Sequence, residues 1–165
     1  MVLAICINFR VLPDAAAFYW EKRSVMMHKL VTRIKEQKIF NHKTFSGNID
    51  DLLDFRDEVE FDSEWMRVYD VLEQHSMDEE TEKEIAEVRQ AAFQTAYDLS
   101  NSSDIAACVS DDFEIICKAY VIGLKDRWMN GLVKTYVQHG FPCCGRMEVS
   151  EADVDTAYGS LFGDD

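Results

Sequence analysis

Helical periodicity constrains this chain more than any other feature. Only seven Gly and two Pro interrupt its 165 residues, and from Pro13 onward apolar residues recur three and four apart, the spacing that gives a helix one buried side. The fold class that follows is all-α, a single-domain bundle of about six helices over residues 1–165. Residues 2–11, short and β-branched, are the exception. They read either as a short N-terminal strand or as a buried opening segment.

Pro13-Asp14 opens a helix reaching about Gln37, with Trp20, Met27, Leu30, Val31 and Ile34 on one side. The NHKTFSGN run at 41–48 is a loop, and Asn48 can cap a helix to about Glu60 whose Ile49, Leu52, Leu53 and Val59 face inward. A helix from Asp62 or Ser63 carries the stripe Phe61, Trp65, Tyr69 and Leu72. Another, from Asp78 to about Leu99, turns Ile85, Val88, Ala92, Phe93 and Ala96 inward. After a turn at 101–104, Ile105 to Val109 gives one or two helical turns, and Ser110 then caps a long element ending near His139. Gly123 either breaks that element or, with Ala119 and Gly131, marks a close helix–helix approach. Ser150 and Asp153 suggest the cap of a last helix ending near Phe162.

The charge is unevenly spread over these elements. The formal net charge is −14, yet residues 1–49 carry eight Lys+Arg against three Asp+Glu, while residues 50–87 carry three against sixteen. The segment 50–87 thus holds −13 in 38 residues. Acids in the first turn of a helix are favoured by its dipole, which accounts for Asp50, Asp51, Asp78, Glu79 and Glu80. The remainder is costly, because like charges three and four apart, as in Asp54–Asp57, Glu60–Glu64 and Glu80–Glu84, repel by a few tenths of a kcal/mol each. A surface selected for stability alone would mix the signs.

Such a field repels nucleic-acid phosphates and anionic membranes, and it attracts a strongly basic protein. The candidate partner-binding residues are Asp50, Asp54, Asp57, Glu58, Glu60, Glu64, Glu80, Glu84 and Glu87. The partner class is a basic protein: a toxin, a nuclease or a DNA-binding protein. The basic first helix, Lys22 to Lys38, is the internal competitor for the same acids, within the chain or across a homodimer.

No catalytic or cofactor motif accompanies this map. None of His28, His42, His75 and His139 follows a Glu by three, as a carboxylate-bridged di-metal bundle requires. The glycine-rich phosphate loops, the nucleophile elbow and the EF-hand pattern are missing as well. His139, Cys143 and Cys144 form the most suggestive cluster, but zinc would need further ligands, and a thiol after a helix C-terminus is opposed by the dipole. The expectation is therefore no catalytic residue, no metal and no cofactor. Five cysteines in an odd, unpatterned set, and no long apolar run at the start, point to a reduced cytoplasmic protein without a membrane anchor or leader.

In size, helicity and acidity the chain resembles small acidic immunity proteins and DNA-mimic proteins. The expected function is a non-enzymatic inhibitor of that type, engaging its partner through acidic helices. Two alternatives stand beside it. One is a helical metal- or thiol-dependent enzyme centred on His139, Cys143 and Cys144, and the other is an oligomeric structural scaffold.

Overall fold

A computed structural model describes residues 13–149 and 154–163, with side chains from residue 21 and again from 158. The expected strand or buried opening segment at 2–11, the side chain of Trp20 and the cap at Ser150 and Asp153 lie outside the described residues. Seven helices are present among them: α1 Pro13–Lys35, α2 Ile49–Arg56, α3 Val59–Glu73, α4 Glu79–Ser100, α5 Ser103–Ile122, α6 Arg127–Val137 and α7 Val154–Phe162. The all-α bundle predicted from periodicity is what forms.

Helix α5 is the axis. It packs most extensively on α4, and it also meets α2 and α3, while α1 covers α4 and is joined by α7. Pairing of Trp65 with Asp112 and of Glu73 with Lys118 sets α3 parallel to α5. Only residues 101 and 102 separate α4 from α5, so the two packed helices run antiparallel, with Arg89 paired to Asp111 and Glu114. The core gathers Met27, Leu30 and Ile34 from α1, Val88 and Ala92 from α4, and Val109, Phe113 and Ile116 from α5, all essentially without exposure. The connection after α1 dips into this core as well. Ile39, Phe40 and Phe45 are buried, and Phe40 packs edge-on to Phe113 with ring centroids 5.7 Å apart.

Capping explains most of the boundaries. Asn48, Asp78 and Ser102 each accept a hydrogen bond from a first-turn N–H, of Asp50, Thr81 and Ile105 respectively. Gly123 adopts φ +67° and ends α5, so the break is the reading that holds there. Close approach does occur, but further on. A Cβ on Gly131 of α6 would lie 2.8 Å from the Glu148 carbonyl oxygen, so the strand of chain at 148–149 can run against the helix only because that residue is glycine.

Four expectations are corrected. The helix starting at Asn48 does not reach Glu60: it stops at Arg56, where the Asp57 N–H bonds the Leu53 carbonyl, Glu58 turns extended, and α3 begins at Val59. Val59, expected inward, is consequently three-quarters exposed. The chain does not restart at Ser110 either. Ser102 supplies the cap eight residues earlier, and Ser110 and Asp112 are buried inside a continuous α5 because side chains of other helices satisfy them. Phe93 faces outward on α4, stacked on Tyr97 one turn along.

Candidate functional site

The break between α2 and α3 is built around a buried cation. Arg56 and Asp112 form a two-pronged pair, Nη1 to Oδ2 and Nη2 to Oδ1, both at 2.8 Å, with Asp112 wholly buried. Arg56 Nη1 also donates to the Pro142 carbonyl at 3.0 Å, and the guanidinium lies over the ring of Phe61, 4.6 Å from its centroid. Asp112 takes two further bonds, from Trp65 Nε1 at 2.9 Å and from the Tyr136 hydroxyl at 2.6 Å. Five segments of chain therefore meet on one ion pair. Burial opposes the charge of Arg56 but the Asp112 carboxylate overrides it and raises the guanidinium further, while burial and the same carboxylate push the Tyr136 phenol up.

Outside this anchor the chain shows a different face. Phe55, Val59 and Met66 are the exposed apolar residues of α2 and α3, and Asp54, Asp57, Glu58, Glu60 and Asp62 are exposed among them. A second segment fixes the corner: Cys144 N–H donates to the Phe55 carbonyl at 3.1 Å, and the Cys144 thiol bonds Glu58, which raises its pKa. Phe61, in the first turn of α3, is buried edge-on to Trp128 at 5.3 Å. Acids and apolar side chains are thus carried on backbone held from beneath.

The nine acids read from the sequence divide on this framework. Asp50, Asp54, Asp57, Glu58 and Glu60 are exposed around α2 and the corner. Glu64 is half-buried and bonded to Arg67, which also grips Asp126. Glu80 and Glu87 are exposed on the first half of α4. Glu84 departs from the rest, being buried with its Oε2 3.3 Å from Arg23 Nε. That contact is where the basic first helix meets the acidic segment. Of the sixteen acids in 50–87, fourteen are exposed, so the acidity stays at the surface. Helix α3, with fifteen residues, separates the corner from the start of α4 by about 20 Å.

His139, Cys143 and Cys144 are not brought together. His139 Nδ1 bonds the Ile39 carbonyl at 3.1 Å, and Cys143 is buried, which pushes its thiol up. Among the described residues the one group with donor atoms at chelating distance is instead Glu58, Glu60 and Cys144, within 4.8 Å of each other. The described cysteines are free thiols. No helix among the described residues is long and apolar enough to cross a membrane.

Two capping carboxylates tie the site to pH. The Thr81 N–H holds Asp78 below the usual carboxylate range. At Asp126 burial works against ionisation, but hydrogen bonds from Arg67 and from the N–H groups of Met129 and Trp128 outweigh it and lower the pKa. Folded pKa values below the unfolded ones add stability that is complete above the unfolded values and is lost as pH falls through the folded ones. Asp111, raised chiefly by burial despite Arg89, has the opposite sign. The expected result is a urea midpoint that declines as the pH is lowered through the carboxylate range. In Asp126→Asn that decline should be shallower, and an unchanged slope would remove Asp126 as a source.

The comparisons with known proteins bear on the same region. No curated protein matches the chain. The family model described as Immunity protein PIM1 matches residues 29–143, a span that contains the whole Arg56–Asp112 network, the acidic corner and helices α2 to α6. With most of its length inside that match, the chain belongs to the immunity protein PIM1 family and has a role of the immunity-protein type.

Proposed function

We propose that this protein neutralises a toxin by binding it directly through its acidic helices, without catalysing a reaction. The observation that carries this reading is the exposure of fourteen acids within residues 50–87 of a chain in an immunity-protein family. Counter-charges inside the molecule account for few of them: of the sixteen acids in the segment Glu64, Glu73 and Glu84 are in ion pairs, with Arg67, Lys118 and Arg23, and of these only Glu73 is among the fourteen exposed. A solvated field of this sign raises the encounter rate with a cationic protein and disfavours wrong partners. The partner is accordingly a basic toxin, of which a nuclease is the most specific form, because a surface that grips phosphates also accepts carboxylates. The site of action follows the toxin into the cytoplasm.

The test is co-expression with the product of any gene adjoining this one that proves lethal when expressed alone, followed by purification. Restored growth and a complex of the two chains are expected. A toxin that remains lethal, or that elutes separately from this protein at low salt, would sink the reading.

A further inference from the structure

Resting on that reading, we infer that the contact face is the α2–α3 corner, with Phe55, Val59 and Met66 as an apolar centre and the neighbouring acids as its rim. The partner surface it fits is a protein face with an apolar patch ringed by Lys and Arg. The spacing is suited to this. Val59 and Met66 stand seven apart and so share one side of α3, and they are 75% and 43% exposed, with Phe55 at 38% on the preceding helix. An apolar patch rimmed by charge is the composition of an interface centre rather than of an idle surface.

Charge selects the occupant. Asp54, Asp57, Glu58, Glu60 and Asp62 are exposed at the corner, whereas the nearby bases are engaged elsewhere: Arg56 turns inward to Asp112, and Arg67 bonds Glu64 and Asp126. Arg146, exposed in the adjacent turn, offsets one charge of five. A second copy of this chain would bring the same sign against itself, so a self-complementary dimer at this face is opposed. The stacked pair Phe93 and Tyr97 on α4 has comparable exposure but lies beside Gln90, Gln94 and Arg89, a base already paired with Asp111 and Glu114, so that no cluster of unpaired acids among the described residues surrounds it. It offers apolar area without the field. Rigidity favours the corner as well, since the Arg56 anchor and the Cys144 bond to Phe55 hold its backbone before any partner arrives.

The experiment measures affinity by calorimetry for the toxin that the co-expression test identifies. Phe55→Ser/Val59→Ser/Met66→Ser is expected to weaken binding by about tenfold or more, while Phe93→Ser/Tyr97→Ser leaves it unchanged. Hydrogen exchange on the wild-type complex supplies a reading that needs no variant, with new protection expected over 53–66. Protection confined to other segments, or equal affinity of a folded triple variant, would overturn the corner while leaving the immunity role standing. Absence of binding by the wild type would overturn both.

Discussion

Replacing Arg56 with Met should lower stability by about 3–5 kcal/mol, the cost of leaving a buried carboxylate without its cation. Asp112 is fully buried, and the Trp65 and Tyr136 bonds that remain are from neutral donors. Against a total stability of about 5–15 kcal/mol, that loss places the variant near the unfolding threshold. The pair itself need not stabilise the fold relative to an apolar substitute, since desolvating two charges offsets much of their attraction. Arg56→Met/Asp112→Leu should therefore recover part of the loss. Recovery stops short of complete because Trp65 Nε1 and the Tyr136 hydroxyl then lose their acceptor, at about 1–3 kcal/mol each. Urea unfolding of the two single variants and the double gives the coupling energy. Additive single effects would show that the pair does not act as a unit.

Much of the fold could be read from spacing, and the buried charges show where that reading stopped. The apolar stripe Met27, Leu30 and Ile34 is buried as its register requires, and the same register places Arg23 one turn earlier on the buried side. Arg56 is in phase with Leu52, Glu84 with Val88, and Asp112 with Val109 and Ile116. Each of these charged residues is buried. Treating charge as a surface label places Glu84 in the candidate contact set and counts Arg56 only as one of the three bases set against the sixteen acids of residues 50–87. The signal that would have found them is a charged residue in step with an apolar stripe, which demands a partner from another element. Which partner it finds depends on tertiary packing, since Arg56 and Asp112 lie 56 residues apart. The α2–α3 break was hidden for the same reason. Periodicity alone runs on through Val59, and only the inward pull of Arg56 and the cap geometry at Asp57 and Glu58 turn the chain there. The exposed acids of the corner, by contrast, were legible at once, because nothing in their spacing aligns them with the core.

Reversing Asp54, Asp57, Glu58 and Glu60 to Lys should slow association with the toxin by about 10- to 1000-fold at low ionic strength, the range over which electrostatic steering acts. The loss should persist at physiological salt. These side chains would sit within the contact, closer to the partner's charges than the Debye length of about 8 Å at that ionic strength. Glu79, Glu80 and Glu82 provide the comparison. They are exposed at the start of α4, about 20 Å from the corner by the length of α3, which is more than two Debye lengths. Their reversal should slow association at low salt and have little effect near 0.15 M, where their field is screened. Stopped-flow association at two ionic strengths separates the groups. The corner variant should also dissociate faster, since its lysines would face the partner's own cations. If the α4 variant shows the salt-resistant loss and the corner variant does not, the acids of α4 form the contact and those of the corner only steer.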